Sequence, residues 1–131
     1  MAIAAALIAY AIDFVTHGMI LMKAYSECQG MFGSEAQIEK WIWLNPIAYF
    51  GMTFLLGWFF IRGYANRGVM EGLIFGVMAG LLMEVPRFCF MVMYYNQPAI
   101  MDAVPLIAGM VKFILIGIAF GAIYKPATKI I

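Results

Sequence analysis

The sequence predicts an all-α membrane protein, a bundle of four transmembrane helices, and three observations predict it. Of 131 residues, 66% are hydrophobic and 11% charged, against roughly 45–50% and about 25% in soluble domains. Mean hydropathy is +0.94, so a water-soluble fold of this length has no interior large enough to hide its apolar surface. The apolar residues fall into four continuous runs, at about 2–22, 41–61, 69–95 and 103–124. Each is near the roughly 20 residues that cross the hydrocarbon core. The runs do not alternate, and four strands are too few to close a membrane barrel. A single domain over 1–131 is therefore expected, with no room for a soluble catalytic domain.

The first run lacks a positive leader and continues through Asp13 and His17. It reads as a retained helix, not a cleaved signal peptide. The longest connection, 23–40, holds Ser34-Glu35-Ala36-Gln37, the Ser-x-x-Gln form of a capping box. A helix is expected to start near Ser34, lie along the interface and enter the membrane. Asn45-Pro46 should bend it early, because Pro46 lacks a backbone donor. The connection 62–68 is short, basic and glycine-bearing, and 96–102 contains Pro98 but no Lys or Arg. The third run is long enough to require tilt or a bent end, and Pro126 closes the fourth.

Four crossings place the N-terminus, the second connection and the C-terminus on one side. That side carries Arg62, Arg67, Lys125 and Lys129, against Lys23 and Lys40 on the other. The positive-inside rule then predicts both termini in the cytoplasm (N-in/C-in), as in a bacterial inner membrane. Trp41, Trp43, Tyr94 and Tyr95 should form the outer aromatic belt.

Gly72, Gly76 and Gly80 recur every fourth residue in the third run, and Gly117 and Gly121 repeat that spacing in the fourth. Small residues at GxxxG spacing let helix backbones approach closely in lipid. The expected use is packing of the third helix on the fourth. The other use is a contact with a second copy or another subunit.

Five ionisable residues lie inside the spans: Asp13 and His17, Glu84 and Arg87, and Lys112. Burying each in lipid costs a few kcal/mol or more, so such groups face partners or water. A rise of 1.5 Å per residue puts all five about 10–17 Å below the outer helix ends. One polar cluster is expected, with Glu84 paired to Arg87, Asp13 paired to Lys112, and His17 bonded to an acid. It serves as a satisfied network fixing helix register, as a proton or ion pathway, or as a head-group or small-ligand site.

His17 is also the weak candidate for a cofactor, haem or a chlorin. It is the single histidine of the chain, so two-histidine ligation cannot be built here alone. Cys89, Met91 and Met93 cluster without a recognisable copper spacing, and no metal site is expected. Cys28 and Cys89 are expected as free thiols. No GxSxG, HExxH, CxxC or phosphate-binding glycine loop occurs, which points away from an enzyme. A net charge of +1 with no basic run gives no case for nucleic acid. Bound lipid, other membrane subunits or a second copy are the expected partners.

Asp13-Phe14-Val15-Thr16-His17-Gly18, Arg62-Gly63-Tyr64 with Arg67-Gly68, Glu71-Gly72-Leu73-Ile74-Phe75-Gly76 and Gly121-Ala122-Ile123-Tyr124-Lys125-Pro126 together resemble a group of small four-helix bacterial membrane proteins. The similarity extends over most of the chain. It implies the four-helix fold and a bacterial origin, and it implies no activity, because that group has none assigned. Glu84 and Arg87 stand outside the shared pattern. The expected role is a non-catalytic accessory subunit of a larger membrane complex. The alternative is a small homo-oligomeric transporter or channel using the polar cluster.

Overall fold

A computed structural model describes residues 1–28 and 34–126. The described residues are helical, in the order α1 (Ala2–Val15), a π-helical turn (Thr16–Ile20), α2 (Met22–Glu27), α3 (Glu35–Trp41), α4 (Leu44–Gly63), α5 (Val69–Tyr94) and α6 (Ile100–Ile123). Four stretches are long and apolar enough to cross a membrane: Ala2–Ile20, Leu44–Gly63, Val69–Tyr94 and Ile100–Ile123.

Two boundaries differ from expectation for local reasons. The helix that starts after Ser34 and the second span are separate, as α3 and α4, broken at Ile42 and Trp43. Pro46 stands in the first turn of α4 and lacks the amide that would bond the Ile42 carbonyl, so the expected early interruption falls one turn upstream, at Ile42 and Trp43. The fourth span begins at Ile100, so Asp102 and Pro105 belong to its opening turns. Acidic residues near a helix start face the positive end of its dipole. Upstream, the Ser34 side chain accepts from the Gln37 amide at 3.3 Å, the forward half of the expected capping box.

The dominant packing is α5 against α6, with α1 lying against both α6 and α4. Glycines bring α5 and α6 together. The carbonyl oxygen of Gly117 occupies the place a Cβ would take on Gly72, and that of Gly72 does the same at Gly117. A Cβ on Gly76 would stand 2.5 Å from the Phe113 carbonyl oxygen and 2.8 Å from the Ile114 Cα. A Cβ on Gly121 would meet the Gly68 carbonyl oxygen at 2.5 Å. Gly80 faces a side chain instead, that of Met110. Backbones this close gain dispersion contact and Cα–H···O interactions, the forces left when lipid removes the hydrophobic drive between helices.

The main buried cluster runs from the middle of the bundle toward the end that carries Gly63, Val69 and Ile123. Ala5, Ala9, Phe60, Ala79, Phe113, Ile116 and Phe120 are buried there. Phe60 packs on Phe75 at 5.3 Å between ring centroids and on Phe120 at 5.7 Å, and Tyr64 meets Tyr124 edge-on at 5.1 Å. The short α4–α5 connection is held by Glu71, whose carboxylate accepts the Ala65 amide at 2.6 Å and the Arg67 amide at 3.0 Å. Gly68 closes it at φ +62°, a left-handed conformation that glycine adopts without steric cost. At the opposite end Trp41, Trp43, Tyr94 and Tyr95 are all exposed. α1 is tied to α4 through buried Thr53, whose hydroxyl lies 2.9 Å from the Tyr49 carbonyl oxygen and 3.1 Å from that of Ala2.

Candidate functional site

Asp13 and Lys112 meet across the α1–α6 contact. The ammonium donates to both carboxylate oxygens, at 3.0 and 2.9 Å. The two side chains are only 16% and 12% exposed, so the pair is desolvated and its members depend on each other. Tyr49 of α4 donates its hydroxyl to the same carboxylate at 2.7 Å. One acid thus joins three helices, and α4, which packs chiefly on α1, gains a polar anchor.

Glu84 and Arg87 form the second pair, within one turn of α5, with Nε donating to Oε2 at 2.8 Å. The acid is the buried partner, its side chain 7% exposed against 36% for the base. Glu84 follows Gly72, Gly76 and Gly80 on the buried stripe of α5, so the residue after three glycines along that face is a carboxylate. It seats against Gly109 of α6, where a Cβ would collide with the carboxyl carbon and oxygen. Gly109 is one turn from Lys112 on the same helix, which brings the two pairs to one level of the bundle.

His17 departs from expectation. It is exposed, and its Nδ1 is hydrogen-bonded to the hydroxyl of Tyr25, not to an acid. The two rings stack at 5.9 Å with 7° between their planes. The cause is the π-helical turn. The Leu21 amide bonds the Thr16 carbonyl five residues back at 2.9 Å, and π turns of this kind occur often where a helix is redirected locally. The chain then leaves the α1 axis at Leu21, and α2 lays Tyr25 over the histidine. His17 stays within electrostatic range of Asp13, Lys112, Arg87 and Glu84. Tyr25 lies outside the spans, and burial pushes its phenol above the ordinary value while Arg87 acts in the opposite direction.

The five expected residues are therefore gathered at one level, as two ion pairs and a histidine. Tyr25, Tyr49 and the seat at Gly109 complete the arrangement. Periodicity gives no signal for the two tyrosines, since each partner is far along the chain or across a redirected turn. Glycine spacing marks Gly109 as small but does not say that a carboxylate fills the space. A further buried acid, Asp102, accepts from the Gln97 side-chain amide at the start of α6.

No buried side-chain nitrogen or oxygen among the described residues lacks a hydrogen-bond partner. No three His, Cys, Asp or Glu side chains among them are placed to hold a metal ion. Cys28 and Cys89 are both free thiols, with the Cys28 sulfur 3.6 Å from that of Met101. Two grooves flank α1. One of about 530 Å³ lies between α1 and α4, lined by Ile3, Leu7, Tyr10, Pro46 and Phe50 among others. One of about 350 Å³ lies between α1 and α6, at Ile12, Val15, Ala108 and Val111. Asp13, Glu84 and Lys112 line neither groove. The chemistry this arrangement offers is mutual neutralisation: Asp13 and Glu84 each already hold a cation. No protein-family profile, curated protein or solved structure matches the chain.

Proposed function

We propose that this protein is a non-catalytic accessory subunit of a larger bacterial membrane complex, with its polar cluster serving as an internal tie. The observation that carries this reading is the closure of the charges. Asp13, Lys112 and Tyr49 satisfy one another across α1, α6 and α4, and Glu84 is enclosed between Arg87 and Gly109. A transport path needs ionisable groups that exchange partners with water or substrate. Groups locked in pairs at 12% and 16% exposure suit a structural role better.

The glycine faces support the same reading in a specific way. Gly72, Gly76, Gly117 and Gly121 are consumed by the α5–α6 contact, so a partner subunit must use another face. The outward sides of α4 and α5 offer large apolar side chains, among them Phe54, Phe59, Met78 and Leu82. The basic residues favour cytoplasmic termini in an inner membrane. Arg62, Arg67 and Lys125 flank one set of helix ends, against Lys23 and Lys40 at the other, while Lys129 lies outside the described residues.

The test is native mass spectrometry of the protein extracted gently from its own membrane. A reproducible complex with other, larger subunits is the expected result. A homo-oligomer alone, whose ion flux depends on Asp13, would overturn the accessory role and favour a small transporter or channel.

A further inference from the structure

Arg87 carries five N–H donors. Glu84 accepts the one on Nε, and the four on the terminal nitrogens meet no acceptor among the described residues. The side chain is 36% exposed, on a helix whose surroundings are hydrocarbon. Lipid tails accept no hydrogen bonds, so these donors require an acceptor beyond the described residues.

Depth narrows what that acceptor is. The 26 residues of α5 span about 39 Å at 1.5 Å each, roughly 9 Å more than the hydrocarbon core. Arg87 stands two turns before the last residue, Tyr94, or about 10 Å along the axis. With the excess shared between the two ends, its Cα lies about 6 Å inside the outer boundary. Local thinning of the bilayer bridges a gap of that size. The oxygens nearest to Arg87 are then the glycerol-phosphate groups of the outer leaflet.

We propose that the outward edge of Arg87 seats the phosphate of a membrane phospholipid. Glu84 holds the guanidinium in place and cancels its charge, so the site recognises phosphate through a planar fork of donors more than through net charge. This does not depend on the accessory role proposed above. Free phosphate shares the chemistry and reaches the site from water, so the experiment separates the two sources.

The full chain in detergent is titrated with phosphatidylglycerol, and in parallel with diacylglycerol of the same acyl chains. Retained lipid is counted by native mass spectrometry. Phosphatidylglycerol should be held about tenfold more strongly, the equivalent of one charge-assisted hydrogen bond. Arg87→Gln should abolish that preference. Glu84→Gln, which keeps the shape of the acid but unmasks the arginine charge, should strengthen it. A variant that merely loosened the bundle would not do so. Equal retention of the two lipids overturns the proposal, as does an unchanged preference in Arg87→Gln or a weakened one in Glu84→Gln. Displacement of the lipid by millimolar inorganic phosphate overturns the lipid assignment in favour of an aqueous anion. Retention of a protein subunit that requires Arg87 and ignores lipid overturns it in favour of a subunit contact.

Discussion

Replacing Lys112 by Met removes the ammonium and keeps much of the apolar stem. Asp13 is then left at 16% exposure with the Tyr49 hydroxyl as its remaining partner. Two magnitudes bracket the cost. Breaking a buried ion pair from one side costs about 3–5 kcal/mol in soluble proteins. Interhelical hydrogen bonds in membranes average only about 0.6 and reach about 1.7 kcal/mol, because the unfolded chain in lipid also finds partners. Lys112 makes two charged bonds rather than one neutral bond. We therefore expect a loss of about 3 kcal/mol, the lower edge of the ion-pair range. Adding Asp13→Asn removes the stranded charge, so the double variant should be more stable than Lys112→Met alone. The assay is reversible unfolding in mixed micelles, followed by tryptophan fluorescence, on the two single variants and the double. A Lys112→Met protein within about 0.5 kcal/mol of the parent, the usual range of a neutral surface change, would refute the reasoning. So would a double variant whose loss is the sum of the two singles.

Three further outcomes follow from the same geometry. Gly76→Ala should destabilise by about 1–3 kcal/mol, as overpacking does, because its Cβ meets backbone at 2.5 Å; Gly51→Ala, with open space around it, should be neutral or stabilise by up to about 1 kcal/mol through helix propensity. The same micelle unfolding reads both. Tyr49→Phe deletes a hydrogen bond to a charged acceptor and should cost about 1.5–3 kcal/mol, with the loss shrinking in an Asp13→Asn background. Tyr25 should ionise above the ordinary tyrosine value, and Arg87→Gln should raise it further by removing the opposing cation. Tyrosinate absorbance, taken as the difference from Tyr25→Phe, checks this. Because the folded value is raised, the stability tied to the protonated phenol is fully present below the unfolded value near 10 and is lost as pH rises through the folded value.

The spans were legible because lipid demands one thing above all, an apolar run of sufficient length. The third span runs Val69–Tyr94, within one residue of its reading, since glycine precedes it and apolarity fills it. The fourth span starts at Ile100, ahead of the apolar run at 103, because Asp102 has the look of a loop residue but is a first-turn acid stabilised by the helix dipole. Pro46 was legible as an interruption, because it has no amide to bond the Ile42 carbonyl and the helix breaks there. Both ion pairs were legible from formal charge and depth alone. The partner of His17 was not. An i,i+4 argument assumes continuous α-helix, and the π turn over Thr16–Ile20 breaks that assumption without a glycine or proline at its first residue to announce it. Tyr49 was equally hidden, because its link to Asp13 depends on how α4 crosses α1.

The most direct measurement is ion and proton flux through the purified full chain reconstituted in proteoliposomes. Charges closed in pairs predict flux no greater than that of empty vesicles, unchanged by Asp13→Asn. Flux above that background, abolished by Asp13→Asn or Lys112→Met in protein that remains folded, would contradict the reading of the cluster as an internal tie.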